Sequence, residues 1–510
     1  MLHYPHQKKN ETEDLNMTAL QEPFRYDYVG SFLRPEKVKN AKALYEDGKI
    51  EKEELDETIN EAIREVVAKQ KDLGFHVITD GEFRRTYWHL DFMWGFEGVA
   101  HELTGGGVQF AGELASLEDT YVVGKIKAKA HPFVDYFKFL KTLEDENTVA
   151  KYTIPAPAQM FQQFIVPQNV ESTRKFYATD EELIHDIGVA YQDVIRQFYE
   201  AGCRNLQLDD CTWGAVVGDA AKQRYQSLGI DLEEVKQSLL AVNNLALEGK
   251  PEDMVITSHI CRGNYHSTYF TSGPYDSVAD YVFAKENVDA LFLEYDDERS
   301  GGFAPLAKVS PDKKVVLGLI TTKTPELEDK KEVIERIHEA AKYIPLERLC
   351  LSPQCGFASC EIGNKLTEEQ QWAKLKLVKE IAEELPIAPV VSYFLCDSWY
   401  TTAKVMDRFI RKGFYTVGAL KTNRILYPCG IRQKASAFAL HLRKTDPDVS
   451  LVTVGSREFY VYRYEGELNG IPNAAVILSY PKDGFGNPKA LRVFLSTNAE
   501  LSTQEILDTY

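Results

Sequence analysis

At 510 residues, with 44% apolar and 27% charged side chains, the chain is long enough for two or three globular domains with a sizeable core. No apolar run reaches about 18 residues, so no membrane span is expected. The net charge of −18 argues against non-specific nucleic-acid binding, but it is uneven: residues 386–510 carry 15 basic and 11 acidic side chains, a local +4, and the remainder carries −22.

Residues 1–23 are polar and are expected to form a flexible N-terminal extension. The opening MLHYPHQKKNETEDLNM has no apolar stretch of the kind a secretory signal needs, so a reducing, cytoplasmic location is expected. In that setting the eight cysteines read as thiols or metal ligands rather than disulfides. A repeated pattern begins at residue 24. Short apolar runs occupy 26–32, 75–82, 152–158, 205–210, 254–261, 290–296, 314–321 and 349–356. Amphipathic stretches separate them, and Gly74 and Gly202 are placed to end two of these as helix C-caps. Eight nearly continuous apolar strands alternating with helices predict an α/β fold, a (β/α)8 TIM barrel spanning residues 24–385. An open doubly wound sheet is the other reading. What favours the barrel is that Ser31, Glu82, Asp209, His259, Cys261, Glu294 and Cys355 all fall at C-terminal strand ends, which converge on one face only if the sheet closes.

His259-Ile260-Cys261 puts two metal-ligand types on the same face of a strand end, because side chains alternate with period two. Glu294 ends the next run and Cys355 the eighth. His, Cys and carboxylate are the ligand types of zinc, and a catalytic zinc keeps or opens a position for substrate. Taken alone, the pair is weak evidence for a metal, and a buried cysteine beside a hydrogen-bonded histidine is the other reading.

The motifs Val29-Gly30-Ser31-Phe32, Asp80-Gly81-Glu82-Phe83, Leu208-Asp209-Asp210, His259-Ile260-Cys261, Leu293-Glu294-Tyr295 and Pro353-Gln354-Cys355-Gly356 run in this order. They resemble those of the cobalamin-independent methionine synthases in a short, single-barrel form. The resemblance implies zinc held by His259, Cys261, Glu294 and Cys355. It implies a homocysteine site built from the backbone of Val29 and Ser31 with the carboxylates of Glu82 and Asp209. It also implies methyl transfer from a 5-methyltetrahydropteroyl-glutamate to the homocysteine thiolate, giving methionine. Two carboxylates at one barrel mouth suit an amino-acid ammonium; salt-bridged structural acids are the alternative.

The sequence departs from the larger members of that family in two places. Gly318-Leu-Ile-Thr-Thr-Lys323-Thr-Pro325 lacks the histidine that donates a proton to the departing folate nitrogen. Lys323 or a threonine hydroxyl is the substitute candidate, although a lysine of ordinary pKa, about 10.4, is a poor acid at neutral pH. The segment 156–163 lacks the tryptophan that stacks on the pterin and offers only Phe161. A different methyl donor, such as a methylated corrinoid, therefore remains open. Arg84-Arg85 reads either as a grip for an anionic donor tail or as a solvated basic pair. Thr104-Gly-Gly-Gly-Val108 has no Lys-Ser/Thr after it, so it reads as a loop over the barrel mouth rather than a phosphate loop.

After residue 385 the alternation stops. A strand ending at Asp397, a helix from Lys404 to Lys412, a strand at 414–420 and short β segments over 450–495 are expected, with turns at 467–470 and 483–486. Asp397-Ser-Trp-Tyr400, Gly418-Ala-Leu-Lys-Thr-Asn-Arg424 and Tyr480-Pro481 resemble the middle of a DDE-type insertion-sequence transposase. That resemblance implies a truncated, ribonuclease-H-like α+β fragment over 386–510. Such chemistry needs several carboxylates around two metal ions, and Asp397 alone cannot supply them. Three functional readings follow: a zinc-dependent homocysteine methyltransferase, an inactive gene-fusion product, and a nucleic-acid-binding fusion using the basic tail.

Overall fold

The computed structural model describes residues 23–103, 107–116, 118–385, 392–402, 405–406, 409, 414–468, 471–499 and 501–510. The expected N-terminal extension, up to residue 22, lies outside them. The chain divides into two compact units, Met1–Glu384 and Leu385–Tyr510.

In the first unit, seven parallel strands pair in chain order: Val77–Ile78, Val149–Pro155, Asn205–Asp210, Val255–Ile260, Ala290–Glu294, Lys314–Ile320 and Leu349–Pro353. The eighth expected strand, 26–32, forms only isolated bridges. Tyr26 pairs with Leu351 on one side and Ser31 with Gly81 on the other, so the segment joins the two ends of the curled sheet. Its ladder is interrupted at Gly30, whose φ of +145° is not that of a regular strand. A side chain there would also collide with Thr153, since a Cβ would lie 2.9 Å from its Cγ2. Side chains hold the segment instead. Lys151 Nζ pairs with Asp27 Oδ1 at 2.8 Å with both groups fully buried, and Gln207 Nε2 donates to Val29 O at 2.8 Å.

Helices pack around this sheet for reasons visible in the sequence. Asp180–Glu200 begins at Thr179, whose hydroxyl accepts from Glu182 N, and three acids occupy its first turn. Such a cap is worth about 1 kcal/mol, and the acids favour the positive helix end. Leu183, Ile187, Tyr191, Val194 and Phe198 form its buried stripe, each worth roughly 1.5–3 kcal/mol when taken out of water. Gly202, with φ +93°, ends it, and Cys203 N donates back to Phe198 O at 2.9 Å. Lys52–Asp72 ends the same way at Gly74, φ +82°, with Phe75 N donating to Gln70 O.

One insertion differs from expectation. Glu97–Glu102 pairs antiparallel with Asp119–Lys127, and Gly107–Gln109 with Leu114–Ser116. The mouth loop expected over 104–108 is therefore a strand from Gly107 onward, and 104–106 lie outside the described residues. Ala111 N donates to Tyr269 O, which ties the hairpin to the segment after Cys261.

The second unit is a six-stranded mixed sheet in the order Ser392–Cys396, Phe414–Leu420, Arg492–Ser496, Ile471–Pro481, Arg457–Leu468, Val449–Val454. Only the first pair is parallel. The strands at 457–468 and 471–481 form a long hairpin rather than the short β segments expected. Val476, Leu478 and Leu495 join a core with Leu426 and Ala435. Val461, Ala475 and Ile477 pack with Ile506 of the terminal helix Thr503–Thr509, which starts with a Ser502/Glu505 capping box. The helix expected over 404–412 and the turn at 467–470 fall largely outside the described residues. No described helix is long and apolar enough to cross a membrane.

Candidate metal and substrate site

Strand register brings the expected residues to one rim. Asp209 lies beside His259 on neighbouring strands. Gly318 lies beside Glu294 on one side and Ser352, three residues before Cys355, on the other. One ligand atom from each of His259, Cys261, Glu294 and Cys355 falls within 4.8 Å of the others. All four residues are buried. The Cys261 and Cys355 sulfurs are 3.8 Å apart, far beyond the bond of about 2.05 Å in a disulfide. His259 Nδ1 faces Phe292 O at 3.3 Å, which leaves Nε2 as the outward ligand atom. That Nε2 and both carboxylate oxygens of Glu294 are buried with no hydrogen-bond partner. Orphaned buried polar atoms of this kind are rare, and the N, O, S, S donor set is one that fits zinc. Burial pushes the Glu294 carboxyl up to about 7. The Cys355 thiol lies well above its usual range through its hydrogen bond with Cys261 and through burial. Concentrated negative charge is thus disfavoured here without a cation. Cys211 was not anticipated: it lies near Cys261 and lines the same cavity.

That cavity measures about 800 Å³, and Val29, Ser31, Glu82, Asp209, His259, Cys261 and Cys355 all line it. Glu82 follows Gly81 in a turn where both residues are left-handed, φ +62° and +65°. A non-glycine residue there costs roughly 1–2 kcal/mol. Its side chain is fixed by Thr153 Oγ1, which donates to Oε1 at 2.7 Å, and by Arg85 Nη1 at 3.2 Å; Oε2 is buried without a partner. Asp209 Oδ1 accepts from Gln207 Nε2 at 2.8 Å. Burial and the nearby Glu82 hold the Asp209 carboxyl well above the usual range. At Gly356 a Cβ would meet Ser31 Oγ at 1.9 Å, so the chain just after Cys355 packs directly on Ser31.

Lys323 is not brought to the cavity. Its Nζ pairs with Asp296 Oδ2 at 2.8 Å, and Asp296 also pairs with Arg299. Phe161 is a core residue, 1% exposed, and does not line the cavity. Neither reading of the arginine pair holds for Arg85. It is fully buried against Glu82 and over the rings of Phe133 and Tyr152. Arg84 is half-buried over Tyr136 and Phe139. The sequence reading also missed Trp88 and His89, and an aromatic wall of Phe110, Tyr265 and Phe270. Trp88-His89 lies six residues beyond Glu82 in the segment that follows the first strand of the parallel sheet, and that placement was the available signal.

Comparison with known proteins gives the family of the first unit. The profile of the family described as "Cobalamin-independent synthase, Catalytic domain" matches residues 27–384. The Bacillus subtilis protein YxjH, itself uncharacterised, is 44% identical over 364 residues, covering 71% of this chain and 95% of the relative. A methionine synthase of Saccharolobus solfataricus is 25% identical over 70% of this chain and 94% of its own length. The crystal structure of a putative vitamin-B12-independent methionine synthase from Listeria monocytogenes superposes with a TM-score of 0.56 at 37% identity, covering 71% of this chain and 98% of that one. Over residues 27–384 the chain belongs to the cobalamin-independent methionine synthase catalytic-domain family.

Proposed function

We propose that the first unit is a zinc-dependent methyltransferase that converts homocysteine to methionine. The observation that carries this reading is the buried His259, Cys261, Glu294 and Cys355 cluster at the edge of the cavity that Glu82 and Asp209 also line. Those four residues would hold zinc, which ionises a coordinating thiol outright; against a free thiol of pKa about 8.5, a shift of about 1.5 units is worth about 2 kcal/mol.

The remaining work falls to the chain itself. Glu82 and Asp209 bind the substrate ammonium, and Arg85 and Thr153 orient Glu82 for it. The backbone around Val29 and Ser31 receives the substrate carboxylate, where Gly30 removes steric obstruction. Fixing both ends of the amino acid holds its sulfur for attack, a positioning effect that lowers the entropic part of the barrier. A 5-methyltetrahydropteroyl-glutamate is the donor in this reading, and a methylated corrinoid is the alternative. Lys323 is not assigned the proton-donor role, because its ammonium is engaged by Asp296. For the second unit we propose a transposase-derived fragment without catalytic activity. Its Asp397 is exposed, and the one metal-capable cluster among the described residues lies in the first unit.

The test is zinc analysis combined with homocysteine methylation, using a panel of methyl-folates of different glutamate length and methylcobalamin. One zinc per chain and methionine formation are expected. A chain that carries zinc yet methylates homocysteine from no donor in the panel would remove this reading in favour of an inactive fusion product.

A further inference from the structure

The cations near the metal cluster and its neighbouring acids mostly have carboxylates of their own. Arg85 pairs with Glu82, Lys323 with Asp296, and Arg299 with Asp296 and Asp297. Arg262, the residue after Cys261, is the exception. It is 0% exposed, and its Nε, Nη1 and Nη2 are all buried with no hydrogen-bond partner among the described residues. A guanidinium always carries its charge, and a buried charge without a counter-charge is strongly unfavourable. Orphaned buried groups of this kind call for a partner the fold itself does not supply.

The place of Arg262 shows what that partner is. Its backbone is pinned, since Arg262 O accepts from Phe270 N and Thr271 N, each at 3.0 Å. Its guanidinium lies over the Tyr275 ring, 4.2 Å from the centroid. The Tyr275 hydroxyl accepts from Glu294 N at 3.1 Å. One stack thus ties the side chain that follows Cys261 to the strand end that carries Glu294. Burial raises the Glu294 carboxyl, and Lys323, Arg299 and Arg262 are the positive charges that act against it. Arg262 does not line the cavity, so it acts through the cluster and not on the substrate. Two thiolates and a carboxylate around a divalent zinc would leave one net negative charge. A substrate bound through its sulfur as a thiolate adds a second, which a buried site resists unless a cation stands by. Methylation makes the sulfur a neutral thioether and removes the added charge.

We propose that Arg262 is a positioning residue of this chain, the fixed counter-charge that lets the cluster hold an anionic sulfur and that sets its preference for thiolate substrate over thioether product. The proposal rests on the methyltransferase reading above.

The test measures binding rather than turnover. The zinc-loaded full chain, as wild type, Arg262→Met, Arg262→Gln and Arg262→Lys, is titrated with homocysteine, methionine and homoserine. The last two share the amino and carboxylate ends of homocysteine but bring an uncharged side chain. In Arg262→Met and Arg262→Gln, homocysteine affinity should fall by about 10-fold or more, while methionine and homoserine affinities change little. Arg262→Lys should recover part of the homocysteine loss. A side chain that only shaped the site would move all three ligands together. The zinc-free neutral variants should also be no less stable in urea than wild type, because an unpaired buried charge has been removed. Zinc lost in the neutral variants but kept in Arg262→Lys would support the proposal as well. Equal loss for all three ligands, unchanged homocysteine affinity, or a lysine variant no better than the neutral ones would overturn it. Neutral variants that both fail to fold, or zinc lost from all three variants alike, would make the guanidinium structural and overturn it too. A wild-type chain that binds no zinc or no homocysteine would remove the methyltransferase reading with it; wild-type binding with an unaltered preference in the variants removes the proposal alone.

Discussion

Glu82 shows how much of this site depends on single buried partners. Its backbone is left-handed, and its carboxylate is shared between Thr153 and Arg85, with one oxygen left for a ligand. Arg85→Met would leave that carboxylate unpaired in the interior. Breaking a buried pair from one side costs about 3–5 kcal/mol, so the unfolding midpoint of the first unit in urea should drop markedly and homocysteine affinity should weaken. Asp209 tests the binding role more cleanly, since its neighbour Gln207 can hydrogen-bond an amide as well as a carboxyl. Asp209→Asn should weaken homocysteine binding by about 10- to 100-fold, the worth of a charged hydrogen bond, with zinc retained. Unchanged affinity in a titration would make Asp209 a structural residue. The metal-ligand types were legible because alternation and strand-end position fix where such side chains point. Arg85 was not legible, because sequence does not say which of two adjacent arginines turns inward, and Trp88 and His89 were signalled only by their place in the segment after a strand.

The strands that carry the ligands are held apart by very little. Gly318 lies between the strand ending at Glu294 and the one leading to Cys355, and a Cβ there would meet Gln354 Cα at 2.6 Å and Leu293 O at 2.8 Å. Both contacts are backbone and cannot swing aside. Gly318→Ala should spread these strands, destabilise the unit by roughly 1–3 kcal/mol and weaken zinc binding by about 10-fold or more. Zinc competition against a chelator measures this; affinity equal to wild type would show that the rim tolerates displacement. The parallel strands and long helices could be read from sequence because apolar runs and glycine stops recur in step. The hairpins at 97–127 escaped because they are insertions whose short strands carry no long-range periodicity. The segment 26–31 reads as a strand by pattern yet bridges only at its ends, because Gly30 is needed for close approach rather than for pairing.

The whole chain is two units with separate cores, and the family match ends where the second begins. Phe394 stacks on Phe409 at 3.7 Å and Phe409 meets Phe414 edge-on, although Leu395 and Trp399 stay exposed, 52% and 75%. A tail with its own core gives the first unit no evident need of it. Truncation after Leu385 should therefore leave zinc content, melting temperature and methyl transfer close to those of the full chain, and a truncated chain that fails to fold would contradict this. The central claim, that a zinc ion held by this cluster receives the homocysteine sulfur, is tested most directly by zinc X-ray absorption on the loaded protein. The four residues supply two sulfur and two nitrogen or oxygen ligands, and homocysteine should raise the sulfur count to three. A count that stays at two in the presence of saturating homocysteine would contradict the account.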